Sequence, residues 1–294
     1  SGPLSGGTEI WMAFETTQLD STFEKSEELH CNFMFVDETI SVPARYTSEN
    51  FLTCVSPPVT LAADNQHLQS AFVTISNLVG LPVEVPSQDV NEISSSTFGY
   101  PSSNEHMSHV FVFHPPVKVL KIYPRSGSEN GDVIITVSGV HFLASDELTC
   151  RFWGVQGDNS PAHGAPGVFI SHELVYCTQP SMTVGDYHVQ VSNNKIDYSI
   201  SGITSHYIVY PSIFPSKIEP VTGTQVGGTN VTIFGSGFVN LEELACRFDD
   251  IVVPAKFLST ISISCISPAI STNQKIRKVD VAISLNGRDF YNPE

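Results

Sequence analysis

Six cysteines are the residues of this 294-residue chain whose type and spacing most directly indicate chemistry. They fall into three sets of two, separated by 23, 27 and 19 residues: Cys31 and Cys54, Cys150 and Cys177, and Cys246 and Cys265. Thiols at such separations can form disulfide bonds, which persist in oxidising compartments. A metal site is disfavoured, because there is no Cys-x-x-Cys string and no histidine at a ligand-like offset from any pair.

Other residue types with chemical potential give no arrangement typical of an enzyme. The nucleophile-elbow, phosphate-loop and zinc-protease motifs are absent. Adjacent carboxylates on a strand point to opposite faces, so three such pairs are interpreted as solvated turns: Glu27-Glu28, Glu242-Glu243 and Asp249-Asp250. His106, His109 and His114 are interpreted as loop and strand-edge residues rather than metal ligands. We therefore expect no catalytic residue, no metal and no cofactor.

One sequon for N-linked glycosylation is present, Asn230-Val231-Thr232. Modification requires an exposed amide in a secreted chain. The sequon follows a Gly-Gly turn, where exposure is expected. The sequence therefore predicts a glycan on Asn230, although a three-residue pattern also arises by chance.

The charge of the chain disfavours nucleic acid as a partner. Thirty acidic residues face 14 basic ones, a net charge of −16, whereas phosphate binding needs clustered lysine and arginine. The first 115 residues hold fourteen acidic residues and only two basic ones, Lys25 and Arg45. This part of the chain should repel an anionic membrane and attract a basic partner. There is also no apolar run long enough to insert into a bilayer.

The elements that position these residues recur along the chain. Residues 121–152 and 217–248 align without a gap at an offset of 96, with 13 identities in 32 positions. An earlier copy shares the Glu-Leu-x-Cys-x-Phe string at residues 28–33. We therefore expect three modules: module 1 (1–115, truncated at its start and with an insertion near 81–109), module 2 (116–211) and module 3 (212–294, truncated at its end).

Each copy predicts short strands separated by turns. Val133, Ile135 and Val137 alternate with neighbours that could face solvent, and the turns are rich in glycine and proline. Units of this size predict immunoglobulin-like β-sandwiches, hence an all-β fold. Proline-containing joints near residues 115 and 211 predict a semi-rigid rod, and a second, smaller loop insertion is expected at residues 154–167.

The repeat symmetry selects one disulfide connectivity among the fifteen possible. It pairs the two cysteines of each module: Cys31–Cys54, Cys150–Cys177 and Cys246–Cys265. Buried reduced thiols filling a core remain the alternative. Disulfides would place the chain outside the cytosol.

The assembled strings resemble the IPT/TIG family of immunoglobulin-like repeats. They include Ile218-x-Pro220-x-x-Gly223-x-x-x-Gly227, Cys246-x-Phe248, Cys265-x-x-Pro268 and the tail around Asn286. The resemblance covers nearly the whole chain and is weakest in module 1. It implies paired cysteines within each module and a stalk region such as those of plexins, hepatocyte-growth-factor-receptor-like kinases and fibrocystin-like proteins. Rel-like nuclear members also exist, but the acidity of this chain argues against that role.

The leading hypothesis is a non-enzymatic extracellular segment of a cell-surface receptor or adhesion protein, part of a longer, membrane-anchored parent. It would act as a rigid stalk and bind a protein ligand or cell-surface partner through displayed loops or an exposed edge strand. The alternative is a carbohydrate-binding or spacer module of a secreted or microbial surface protein. In that case Trp153 or Tyr100 would stack on a sugar.

Overall fold

The computed structural model describes residues 1–13, 29–35, 38–48, 51–60, 69–76, 109–155, 162–270 and 277–293. They form two compact units, Ser1–Pro116 and Val117–Glu294. Throughout these ranges the regular structure is β-strand apart from a 3₁₀ turn at Ile203–Ser205, which confirms the all-β prediction. None of the described helical segments is long and apolar enough to cross a membrane. The insertion predicted near 81–109 lies outside the described residues, except for His109.

In its described residues module 1 forms one seven-stranded sheet folded into two layers, in the order β1-β7-β6-β3-β4-β5-β2. Its strands are β1 (Gly2–Pro3), β2 (Glu9–Ala13), β3 (His30–Met34), β4 (Thr39–Ser48), β5 (Phe51–Val55), β6 (Gln69–Ser76) and β7 (His109–His114). Neighbouring strands are antiparallel except β1 and β7, which run parallel.

Module 2 repeats this plan with eight strands, in the order β8-β10-β13-β12-β11-β14-β15-β9. They are β8 (Lys118–Tyr123), β9 (Ser126–Ser128), β10 (Ile134–Val140), β11 (Thr149–Gly154), β12 (His163–Ser171), β13 (Leu174–Thr178), β14 (Gly185–Ser192) and β15 (His206–Tyr210). The parallel pair is β9 with β15, as β1 pairs with β7 in module 1.

The described part of module 3 has six strands, in the order β16-β17-β20-β19-β18-β21. They are β16 (Phe214–Glu219), β17 (Asn230–Ser236), β18 (Ala245–Phe248), β19 (Ile251–Ser259), β20 (Ser262–Ile266) and β21 (Val281–Ser284). Modules 2 and 3 belong to the same compact unit.

One strand in each module leaves one layer and joins the other, and a proline marks the crossing. In module 2 the first half of β12 pairs with β11 as far as Pro166, and its second half pairs with β13 from Gly167. Strands β4 and β19 cross in the same way, at Pro43 and Pro254. Proline has no N–H to donate, so it fits the point where a strand changes partners.

Alternating apolar residues fill the space between the layers. Ile135 and Val137 of β10 are fully buried, as the alternation in the sequence predicts, and the aromatic ring of Phe152 fills the same core from β11. Modules 1 and 3 have their own clusters, around Phe33 and Ile233 respectively. The result is three immunoglobulin-like sandwiches, each built around one buried cluster.

The loop expected at residues 154–167 is shorter than predicted. Strand β12 already begins at His163, so the segment His163–Gly167 belongs to a strand rather than to an insertion. Its sequence, His-Gly-Ala-Pro-Gly, lacks the branched and aromatic residues that indicate strands. The strand forms there because β11 supplies a pairing edge, which is a tertiary cause that local sequence does not carry.

Candidate recognition surfaces and the junction between modules 2 and 3

The six cysteines come together as three bonds, each within one module: Cys31–Cys54, Cys150–Cys177 and Cys246–Cys265. Their Cα atoms lie 6.4, 5.9 and 6.3 Å apart, within the normal span of a disulfide. Each bond joins strands of opposite layers through the core, for example β11 to β13, and each cysteine is buried. The bonds therefore fasten the layers next to the strand that crosses between them.

The crossing prolines escaped the sequence analysis, although a signal was present. Pro43, Pro166 and Pro254 each precede the second cysteine of their module by eleven residues. The backbone N–H that follows each proline donates to the carbonyl oxygen of the leucine immediately before the neighbouring strand. Those bonds run from Ala44 to Leu29 (2.8 Å), from Gly167 to Leu148 (2.9 Å) and from Ala255 to Leu244 (3.0 Å). The crossing is thus a conserved unit of the internal repeat, not a local irregularity.

An asparagine organises the loop after β14 and again after β21. In module 3 the side chain of Asn286 accepts from the backbone N–H of Asp289 at 2.9 Å and donates to its carboxylate at 2.7 Å. Asn194 and Asp197 repeat both bonds in module 2, at 2.8 and 2.7 Å. Both asparagines are buried, so the loop is held in one conformation by a satisfied polar network.

Each of these loops also places an aromatic ring beside an arginine. The guanidinium carbon of Arg151 lies 3.7 Å from the ring centre of Tyr198 and 4.8 Å from that of Trp153. In module 3 Arg247 lies 4.6 Å from Phe290. Burial lowers the pKa of Arg151 and raises that of Tyr198, and the two charges oppose these shifts. The guanidinium of Arg151 lies over one face of the Trp153 ring, which leaves less of that ring available to stack on a sugar.

Modules 2 and 3 are hydrogen-bonded to each other through the linker between them. The carboxylate of Glu129 accepts from both the backbone N–H (2.9 Å) and the hydroxyl (3.1 Å) of Ser212. Asn130 donates to the same hydroxyl at 3.0 Å. Since a charged acceptor makes the stronger kind of hydrogen bond, Glu129 fixes the start of module 3 against module 2.

The loop of module 3 that Asn286 organises contacts module 2 on its other side. The Asn286 amide donates to the carbonyl oxygen of Ser126 at 3.1 Å, in a fully buried position. Arg288, next along, donates to the carbonyl oxygen of Ile134. These bonds join segments about 160 residues apart, and no local sequence pattern predicts them.

An aromatic side chain of module 2 completes the core of module 3. Tyr210 is the last residue of β15, yet its ring belongs to the buried cluster around Ile233 and Phe238. Ile213 of the linker enters the same cluster. Burial is the main reason why the pKa of Tyr210 lies far above its usual range. The junction is thus partly a hydrophobic core shared by two modules.

Glu243 faces module 2 across the junction, and its carboxylate accepts from the backbone N–H of Arg125 at 3.4 Å. Burial raises its pKa, and the hydrogen bond from Arg125 only partly offsets this. Because the pKa of Glu243 is higher in the folded state than in the unfolded state, ionisation of this carboxyl lowers the stability of the fold. The stability that is present at acid pH is therefore lost as the pH rises through the folded-state pKa.

Glu243→Gln is therefore expected to raise the stability of the chain at neutral pH, by less than about 1 kcal/mol because the site is partly solvated. The difference from the wild type should shrink as pH falls through the raised pKa of the folded state, and it should be lost below the ordinary pKa of glutamate. Thermal unfolding from acid to neutral pH measures it, with the exposed neighbour Glu242→Gln as the control. A gain that is independent of pH would contradict the assignment.

The structure also shows the surroundings of the predicted glycosylation site and of one of the three histidines. Asn230 is exposed at the start of β17, as glycosylation requires. His114 is buried, with its Nδ1 2.9 Å from the carbonyl oxygen of Pro115. Across the ranges that the structure covers, no group of three or more metal-ligating side chains occurs. The predictions for Glu27-Glu28, Tyr100 and His106 lie outside the described residues, as does the position of the His109 side chain.

The sequence of this chain matches a family model and several curated proteins. The family model described as "IPT/TIG domain" matches residues 116–208 and 214–293. Human plexin-A3 is 26% identical over 183 residues, and human plexin-A2 is 24% identical over 185 residues. These alignments cover 58% and 59% of this chain, but the chain spans only 9% of either relative.

Two solved structures that align with the chain are similar to it only at low identity. The extracellular region of plexin A4, domains 1 to 10, aligns with 99% of this chain and 27% of its own, at 11% identity and a TM-score of 0.32. The Bacteroides ovatus glucan-utilisation protein SGBP-B, in complex with a mixed-linkage heptasaccharide, covers 98% of this chain and 60% of its own, at 10% identity and a TM-score of 0.27. Both scores are too low to carry a functional argument. The matched family model covers more than half of the sequence, and the chain belongs to the IPT/TIG domain family.

Proposed function

We propose that this chain is an extracellular segment of a cell-surface receptor or adhesion protein, acting as a rigid spacer that displays surfaces for a protein partner. The plexin relatives and the three buried disulfides support an extracellular setting. The hydroxyl of Ser205 lies 3.3 Å from His188 Nδ1, but it is buried and already bonds to the backbone of Gly202, so the proposed role is non-enzymatic. The proposal does not extend to the activity of any whole relative.

The contacts at the junction between modules 2 and 3 are the observation that most directly supports the spacer role. A flexible connection would leave Ser212 and Asn286 in water, whereas both make bonds across the junction. The shared core around Tyr210 adds a hydrophobic contact that must break if the modules are to move apart. An interface of this kind fixes the orientation of one module relative to the next.

Residual dipolar couplings measured on the whole chain test this rigidity directly. One alignment tensor should fit the amides of modules 2 and 3 together. Glu129→Ala should separate the two tensors, while Glu219→Ala, at an exposed residue of β16 that pairs with Lys217 of the same strand, should leave them equal. Two different tensors in the wild-type chain would exclude a rigid spacer.

The partner surface is proposed to lie in module 1, which carries most of the negative charge. Loops displayed on a rigid scaffold commonly carry recognition, and an acidic surface favours a basic ligand. We would immobilise the chain and screen it against secreted and cell-surface ectodomains. A specific partner whose association weakens with salt is expected, and a partner bound equally well by a chain lacking residues 1–115 would contradict the assignment.

Module 1 is proposed to be a third copy of the same domain, although the family match begins at residue 116. Three features shared with modules 2 and 3 support this: the cross-layer disulfide, the crossing at Pro43, and the bond from Ala44 to Leu29. The parallel pair of β1 with β7 further matches that of β9 with β15.

A carbohydrate-binding role is the competing proposal. Its best remaining candidate is Trp11 on the edge strand β2, whose side chain is 56% exposed, because Trp153 is already stacked with Arg151. A glycan array separates the two roles: we expect no saturable binding. A signal that Trp11→Ala abolishes and Trp153→Ala preserves would favour carbohydrate instead.

Secretion of the chain from a eukaryotic cell is expected to attach a glycan at Asn230. The residue is exposed, and Thr232 completes the sequon on the same strand. Glycosidase treatment should lower the mass of the wild-type chain and leave Asn230→Gln unchanged. A wild-type mass equal to that of the bare polypeptide would show that the sequon is a chance match.

A further inference from the structure

The sequence contains two Asn-Gly pairs, Asn130-Gly131 and Asn286-Gly287. Such a pair is chemically labile, because a glycine without a side chain lets its backbone nitrogen approach the carboxamide carbon of the asparagine before it. The structure gives the two asparagines opposite surroundings. Asn130 is exposed, whereas Asn286 is completely buried.

The carboxamide of Asn286 has all of its hydrogen-bonding atoms occupied. Its Nδ2 donates to the carbonyl oxygen of Ser126 at 3.1 Å and to the carboxylate of Asp289 at 2.7 Å. Its Oδ1 accepts from the backbone N–H groups of Arg288 at 3.1 Å and Asp289 at 2.9 Å. An attack on this carboxamide would have to break the whole network, so the second pair should be chemically stable.

The carboxamide of Asn130 is held less firmly. In the part of the chain that the structure describes, it makes one hydrogen bond, from Nδ2 to the hydroxyl of Ser212 at 3.0 Å. Asn130 lies in a tight turn, in which the N–H of Gly131 donates to the carbonyl oxygen of Ser128 at 3.0 Å. Opening this turn releases the backbone nitrogen of Gly131 next to the carboxamide. Exposed turns open more often than buried networks, so the first pair should be the reactive one.

The turn requires the glycine of this pair but not the asparagine. Gly131 has a φ of +84°, and a Cβ at this position would lie 2.6 Å from the backbone nitrogen of Ser181. The aligned turn of module 3 has Gly227, with a φ of +77°, and Val226 before it. Asparagine at position 130 therefore always precedes a glycine, and the fold does not depend on it.

We propose that Asn130 is a site of spontaneous deamidation, which loosens the junction between modules 2 and 3 as the protein ages. The backbone nitrogen of Gly131 bonds to Cγ of Asn130, the bond from Cγ to Nδ2 breaks, and ammonia leaves with the proton of the N–H. Water then opens the resulting succinimide ring at either carbonyl carbon, which gives aspartate or isoaspartate. The reaction needs no enzyme, metal or cofactor, and it does not depend on the proposed extracellular role.

The product changes the hydrogen bonds that hold the start of module 3. The hydroxyl of Ser212 has one proton, which it donates to Glu129 at 3.1 Å, and it accepts from the amide of Asn130. A carboxylate at position 130 can only accept, so the bond from this position to Ser212 is lost. Two negative charges then face the same hydroxyl, and their repulsion weakens the contact between Glu129 and Ser212.

The test incubates the whole chain at mildly alkaline pH and follows residues 130 and 286 by peptide mapping. Conversion adds about 1 Da and gives separate aspartate and isoaspartate peptides. Asn130 is expected to convert at least about tenfold faster than Asn286. A synthetic peptide of residues 126–134 gives the rate without the fold. Conversion of the peptide but not of the folded chain would overturn the site, and so would equal rates at the two asparagines.

Two substitutions separate the added charge from the lost amide bond. Asn130→Asp reproduces one product, whereas Asn130→Val removes the amide bond without a charge and copies the residue that precedes Gly227. Hydrogen exchange at the amide of Ser212 reports on the junction, because this N–H donates to Glu129 at 2.9 Å. Exchange is expected to be about threefold faster in Asn130→Asp than in Asn130→Val, and to rise in the aged wild type as conversion proceeds. Exchange in Asn130→Asp and in the aged chain equal to that of fresh wild type would show that deamidation does not loosen the junction.

Discussion

Replacing both Cys150 and Cys177 by alanine is expected to lower the free energy of unfolding of module 2 by about 2–5 kcal/mol. The bond closes a loop of 27 residues, for which the chain-entropy account gives about 3–4 kcal/mol. Truncating two fully buried side chains adds a packing loss to this figure. Module 2 should therefore unfold at markedly lower denaturant concentration than in the wild type.

Hydrogen exchange of module 2 amides across a denaturant series measures this loss. The internal control is reduction, because wild type treated with a reductant should approach the stability of the double variant. Alkylation with and without prior reduction, followed by intact mass, shows whether the six thiols are blocked in protein from its native source. Six freely alkylated thiols there would contradict the disulfide framework and the extracellular proposal with it.

Tyr210→Ala is expected to destabilise module 3 by about 3–5 kcal/mol, although Tyr210 lies on a strand of module 2. The reason is that its ring fills the core around Ile233 and Phe238, so its removal leaves a cavity there. Amides of β17 and β20 should lose protection from exchange together with those of β15.

Two further variants show whether the ring itself is responsible. Tyr210→Phe keeps the ring and should retain most of the stability. Ile200→Ala truncates a residue that is 92% exposed, in the loop before β15, and should change little. A loss of protection confined to module 2 in Tyr210→Ala would show that the ring does not support module 3, and the shared core would then be rejected.

Local pattern was sufficient for much of the fold. Alternating apolar residues predicted strands such as β10, and the recurrence of cysteine with glycine and proline predicted a repeated sandwich. These features are readable because burial on one face of a strand imposes a period of two. The fixed distance of Pro43, Pro166 and Pro254 from the second cysteine of each module is also visible in the sequence. Predicting strands one by one does not show that a strand changes layers at these prolines.

The contacts at the junction between modules 2 and 3 could not be predicted from local sequence in the same way. Residues near 211 looked like a proline-containing spacer, whereas Tyr210 and Ile213 are core residues of module 3. The bond from Asn286 to Ser126 depends on how two folded modules meet, and neither residue type signals it. Local sequence records which face of a strand is buried, but not which neighbouring module buries it.

The parallel pairing of β9 with β15 has a mechanical consequence for module 2. Tension applied along the chain would pull β9 from its beginning and β15 from its end, in opposite directions. The backbone bonds between them, including Ile208 to Arg125 and Glu129 to Tyr210, lie across that direction. They would be loaded in shear and would have to rupture together rather than one after another. A module built this way resists being stretched from its ends.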